Sequence, residues 1–85
     1  MAEFTYTITD EIGIHARPAG MLVSKAKGYD AKITLECNGK SAEMTKLMAI
    51  MAMGIKCNDT VTVTTDGADA DKAATELEEF FKNNL

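Results

Sequence analysis

The sequence predicts an α+β fold, a two-layer sandwich of one sheet with helices packed on a single face. Three observations predict it. Short runs alternate apolar residues with threonine or charged residues, the period of a half-buried strand. Other stretches repeat apolar residues three and four apart, the period of one helix face. Asn38-Gly39, between two extended runs, is the favoured pair for a two-residue hairpin turn. The elements follow in the order strand, helix, strand, strand, helix, strand, helix, and residues 1–85 make a single domain.

Phe4, Tyr6 and Ile8 alternate with Thr5, Thr7 and Thr9 in the first strand, and Asp10 to Gly13 form the loop that leaves it. A helix follows, with Ala19, Leu22, Val23 and Ala26 on its apolar face. It ends near Lys27-Gly28, where glycine can take the left-handed cap conformation. Ile33, Leu35 and Cys37 point one way in the second strand, and Lys40 to Glu43 return as the third. From Leu47 to Met53 every residue is apolar, and Gly54 offers a C-terminal cap. On a helical wheel Leu47, Met48 and Met51 fall on one side and Ala49, Ile50 and Met53 on the other. A domain this small has little room to bury both sides. The first side is expected to be an exposed, methionine-rich binding face; the alternative is a helix buried all round. Val61 and Val63 alternate with threonines in the last strand, and Asp66-Gly67 turns the chain. Asp69 is placed to cap the final helix, whose Ala70, Ala73, Ala74, Leu77, Phe80 and Phe81 form its apolar face. Glu76, Glu78 and Glu79 read as a solvated face.

Composition narrows the function classes. A net charge of −4 with scattered lysines argues against nucleic acid, since phosphate backbones need a basic surface. No basic n-region followed by an apolar h-region opens the chain, and no apolar run approaches a membrane span, which points to the cytoplasm. Cys37 and Cys57 are too few for a disulfide framework, and free thiols are expected. Neither a metal nor a cofactor is called for, because the chain supplies too few Cys and His for a zinc site.

The chemistry gathers in one stretch, Gly13-Ile14-His15-Ala16-Arg17-Pro18-Ala19, which holds the only histidine, arginine and proline of the chain. Proline is tolerated in the first turn of a helix because its missing N–H has no intrahelical partner there. His15 therefore stands at the helix start. The first N–H groups of a helix lack acceptors and carry the positive end of the dipole, so an anion is welcome beside them. A phosphoryl group carried by the imidazole would find the N–H groups of Ala16 and Arg17 and the Arg17 guanidinium around it. On spacing alone, an ordinary capping or loop histidine is the favoured reading.

This stretch resembles the phosphorylation-site motif of HPr, the histidine phosphocarrier family of the bacterial sugar phosphotransferase system. The resemblance extends to Lys27-Gly28-Tyr29-Asp30-Ala31, to Asn38-Gly39-Lys40, and to Leu47 through Ile55. It implies an open-faced sandwich of four antiparallel strands covered by three helices. It also implies that His15 accepts a phosphoryl group on Nδ1 from phosphorylated enzyme I and passes it to sugar-specific IIA domains. The chain would then be a carrier and no enzyme, and a monomer. Ala16 and Arg17 would hold the anion, while Gly20, Leu47, Met48 and Met51 would dock both partners. One departure stands out: many Gram-positive HPr proteins carry a regulatory serine where this chain has Lys46, so regulation by an ATP-dependent HPr kinase is not expected.

Other functions have weaker marks. A purely regulatory HPr-like module would lack the histidine. A nucleic-acid-binding sheet would expose aromatics on its strands, whereas these carry threonine. A small hydrolase would need a base–nucleophile spacing that neither Ser24 nor Ser41 provides.

Overall fold

The computed structural model describes residues 1–85. Its elements are β1 (Ala2–Thr7), α1 (Ala16–Ala26), β2 (Lys32–Cys37), β3 (Lys40–Glu43), α2 (Leu47–Ala52), β4 (Thr60–Asp66) and α3 (Ala70–Asn84). The order is the expected one. The strands form a single antiparallel sheet in the order β1-β4-β2-β3. Asn38 and Gly39 both have positive φ, 54° and 80°, as a type I′ turn requires, and Cys37 consequently pairs with Lys40.

Alternation along the strands sends Ile33, Leu35, Val61 and Val63 into the core, where they meet Leu22, Leu77 and Phe81 from the helices. The opposite face of the sheet carries Thr5, Thr7, Thr34, Thr60, Thr62 and Thr64. Phe81 is the centre of an aromatic cluster, with ring centroids 5.8 Å from Phe4 and 5.7 Å from Tyr6. Thr65 is the one buried polar residue. Its hydroxyl donates to the Ala70 carbonyl at 2.7 Å, so the inward position is satisfied and β4 is tied to the start of α3.

Three local expectations are corrected. Gly28 does not adopt positive φ; α1 ends at Lys27 in ordinary right-handed geometry, and the Gly28 N–H donates to the Lys25 carbonyl instead. Asp69 holds the N-cap position of α3 but makes no cap bond. Its carboxylate accepts the Asp30 N–H at 2.7 Å, while its own N–H donates to the Asp30 carbonyl, so it clasps the loop before β2. Glu76 is not simply solvated: it accepts the Tyr29 hydroxyl at 2.5 Å and lies 3.9 Å from the Lys25 ammonium.

Burial, with the Glu76 hydrogen bond and charge adding to it, pushes the Tyr29 phenol up to about 12. A phenol whose pKa is higher folded than unfolded stabilises the fold fully below its ordinary value near 10, and that contribution is lost as pH rises through 12. Alkaline absorbance titration should therefore show one of the two tyrosines ionising late. Tyr29→Phe should remove that step and cost roughly 1 kcal/mol at neutral pH. A titration with no late step would refute the coupling.

Both cysteines are free thiols. Cys37 ends β2, on one side of β4, whereas the Cys57 sulfur faces the Thr9 carbonyl on the β1 side at 3.8 Å. Burial, and to a lesser degree the Asp59 charge, push the Cys37 thiol up, which reduces its thiolate fraction. Timed alkylation of the folded protein should label Cys57 well before Cys37, and denatured protein should yield both. Faster labelling of Cys37, or fewer than two thiols after denaturation, would contradict this placement.

Candidate functional site

The segment from Thr9 to Arg17 is fixed before it reaches the histidine. The Thr9 and Asp10 N–H groups donate to the Leu85 carbonyl at 2.6 and 2.8 Å. The Asp10 carboxylate accepts the Ile12 N–H at 2.9 Å, and its carbonyl accepts that of Gly13 at 3.0 Å. The result is a tight turn of the kind that aspartate favours. Gly13 has φ of 80° and lies so close to the 55–56 backbone that a Cβ would sit 2.4 Å from the Ile55 carbonyl oxygen. That same oxygen accepts the Ile14 N–H at 3.1 Å.

His15 comes next, extended and half-buried, at the N-cap of α1. Its carbonyl accepts the Ala19 N–H at 3.0 Å and so begins the helix. Its ring makes no cap hydrogen bond, which leaves the imidazole nitrogens unengaged by the helix. The amides of Ala16 and Arg17 fall in the first turn, where no carbonyl precedes them in register, and Pro18 has no N–H. Pro18 and Ala19 are buried and anchor the turn, while Ala16 and Arg17 are exposed. No acidic residue lies in that turn. The chain's one ion pair is Lys25–Glu76, so Arg17 has no carboxylate partner. A nucleophilic ring, two free N–H donors and an unpaired guanidinium thus share one exposed helix end. This is a fitting environment for a small dianion attached to the ring.

The second part of the site is α2, which packs against α1. Ile50 is 1% exposed and Met53 is buried, whereas Met48 is 78% exposed and Leu47 and Met51 are open as well. The helix is therefore two-sided, as the wheel requires. Lys46 occupies its N-cap without a side-chain hydrogen bond, and Gly54, with φ of 64°, follows its end. Gly20 lies one turn beyond Ala16 on the exposed side of α1, and a Cβ there would meet nothing within 4 Å. Two residues not singled out from the sequence join this surface in character: Ile12, 67% exposed, and Met21. Met21 was legible, since it falls off the Ala19-Leu22-Val23-Ala26 face and one turn beyond Arg17. Ile12 carries no periodic signal.

No group of three or more His, Cys, Asp and Glu side chains converges to hold a metal ion. No helix is long and apolar enough to cross a membrane. The one groove, between the C-terminal halves of α1 and α3, is open and polar and includes none of these residues.

Comparison with known proteins agrees with the geometry. The family model for the HPr component phosphorylation site of the phosphotransferase system matches residues 2–83. The chain is 42% identical over 73 residues to the phosphocarrier protein HPr of Mycoplasma capricolum subsp. capricolum, covering 86% of this chain and 82% of that one. Among solved structures, a histidine-containing phosphocarrier protein of Mycoplasma superposes with a TM-score of 0.93 at 36% identity, covering 96% of this chain and 93% of the other. The HPr of Bacillus anthracis str. Ames does so at 0.88 and 30% identity, covering 94% and 95%. Fold, motif and relatives therefore agree that the chain belongs to HPr, the phosphocarrier family of the phosphotransferase system, whose members carry a phosphoryl group rather than catalyse its transfer.

Proposed function

We propose that His15 is the phosphoryl acceptor, taking the group on Nδ1 from phosphorylated enzyme I and passing it to IIA domains during sugar uptake. The observation that carries this is the pairing of an unengaged imidazole with the free N–H groups of Ala16 and Arg17 at one exposed helix start. The nitrogen lone pair attacks phosphorus while the bond to the donor breaks, and the Arg17 guanidinium offsets the oxygens' charge. Because the same steps run in reverse toward IIA, the helix end must hold the anion without enclosing it. The exposure of Ala16 and Arg17 suits that need. The test is intact mass after incubation with enzyme I and phosphoenolpyruvate. One added phosphoryl group, lost in acid and mapped to His15, is expected; an acid-stable adduct or one elsewhere would overturn the assignment.

Gly20, Leu47, Met48 and Met51 form the docking face for both partners in turn, with the protein acting as a cytoplasmic monomer. Met48→Glu should weaken binding to enzyme I and to a IIA domain by about 1–3 kcal/mol, the scale of an anchor lost at an interface centre. Its exposure means that the thermal midpoint should stay close to the parent value. Titration calorimetry beside thermal unfolding checks both, and unchanged affinity with strong destabilisation would make the residue structural. Lys46 offers no hydroxyl to an ATP-dependent HPr kinase, so no phosphorylation by that kinase is expected on this face. Peptide mass mapping after incubation with the kinase and ATP checks it, and phosphate on Thr45 would show a site displaced by one residue.

A further inference from the structure

We infer that Asp59 is a positioning residue for His15, acting through the turn at 55–59 on which Gly13 and Ile14 rest. The inference rests on His15 being the phosphoryl acceptor. Asp59 makes three hydrogen bonds around this turn. Its carboxylate accepts the Lys56 N–H at 2.9 Å. Its own N–H donates to the Lys56 carbonyl at 3.1 Å, and its carbonyl accepts the Ile8 N–H at 2.9 Å. Between them Asn58 sits at φ of 73°, in the left-handed region that asparagine enters more readily than other non-glycine residues. The side-chain bond to Lys56 closes the turn across that position and holds it in place.

The turn in turn shapes the other segment. The Ile55 carbonyl accepts the Ile14 N–H at 3.1 Å. A Cβ at Gly13 would lie 2.4 Å from the Ile55 oxygen and 2.6 Å from the Lys56 Cα, so the two backbones are in contact with no side chain between them. A rotation of the Lys56 peptide passes directly to Gly13 and Ile14, and Ile14 is bonded to His15. Asp59 therefore governs the orientation of a ring it does not touch. Displacements of this kind matter to group transfer because the reacting atoms must be held close to the productive geometry.

The test uses the full chain as wild type, Asp59→Ala and Asp59→Asn. The carboxamide oxygen of asparagine can still accept the Lys56 N–H, so Asp59→Asn should behave like the wild type. In Asp59→Ala, amide hydrogen exchange at Ile14 should quicken about 3–10-fold, the scale of one lost hydrogen bond, while Val63 in the central strand keeps its rate. With the chain as the substrate of enzyme I, phosphoryl transfer should show kcat lowered by a similar factor of about 3–10 with the KM for the chain unchanged, since the docking face is untouched. Unaltered exchange at Ile14, equal acceleration at Ile14 and Val63, a rise in KM with kcat unchanged, or an Asp59→Asn variant as impaired as Asp59→Ala would each overturn the inference. If the wild type takes no phosphate on His15, the acceptor assignment fails, while exchange at Ile14 still decides whether Asp59 orients the segment.

Discussion

His15→Ala is expected to abolish phosphoryl acceptance and to leave the fold standing. The ring is half-buried at a helix start and makes no cap hydrogen bond, so its removal opens no large cavity and orphans no partner. The structural duty of residue 15 belongs to its backbone: the carbonyl accepts the Ala19 N–H, and alanine keeps that. The expected stability change is within about 1 kcal/mol, that of an N-cap position whose side chain was not capping. Phosphorylation by enzyme I, read by mass, should fall to zero in the same preparation that unfolds at the parent's midpoint. Phosphate persisting on the alanine variant would place the acceptor elsewhere.

Gly13→Ala should be the most damaging single methyl in the chain. Two costs coincide there. A non-glycine residue at φ of 80° is strained by about 1–2 kcal/mol. The new Cβ would also lie 2.4 Å from the Ile55 oxygen and 2.6 Å from the Lys56 Cα, both backbone atoms that cannot swing aside as a side-chain tip can. Separating the strands of backbone would lengthen the Ile14–Ile55 hydrogen bond as well. A destabilisation of about 3 kcal/mol or more is expected from overlap and strain together. Gly39→Ala is the control, with the same φ of 80° and nothing within 4 Å of its Cβ, so it should cost only the conformational part, about 1–2 kcal/mol. Urea denaturation of the two variants side by side separates contact from conformation, and equal losses would show that the close approach at Gly13 is not felt.

The sequence was informative wherever a feature is local. The alternation around Val61 and Val63, the Asn38-Gly39 turn and the apolar face of α1 each depend on residues within one element, and all appear as read. The two sides of α2 were legible for a different reason, since seven apolar residues on two turns exceed what so small a domain can cover. What escaped is non-local. Glu76 belongs by composition to a solvated stripe, and only the fold brings the Tyr29 hydroxyl across 47 positions to meet it. Asp69 has the right residue type for a cap, yet Asp30 offers its N–H from 39 positions away and takes the carboxylate. The histidine motif was visible at once, but its support by Ile55 and Lys56 was not, because backbone contact leaves no mark on residue type beyond the glycine itself.

The sheet order also dictates when this site can come into being. β1 is made well before β4, yet β4 is its only neighbour in the sheet, and Thr7 meets Thr60 across 53 residues. Closing so long a loop costs entropy before any contact repays it, which places such chains among the slower small folders. A nascent chain that has grown through α2 already contains His15, Arg17, Met48 and Met51. It still lacks the strand that joins β1 to β2, the turn beneath Gly13, and the carbonyl of Leu85 that holds Thr9 and Asp10. Its apolar segments must wait, unfolded, until residues 53–85 have followed. A fragment ending before β4 would carry the whole phosphorylation motif and no site.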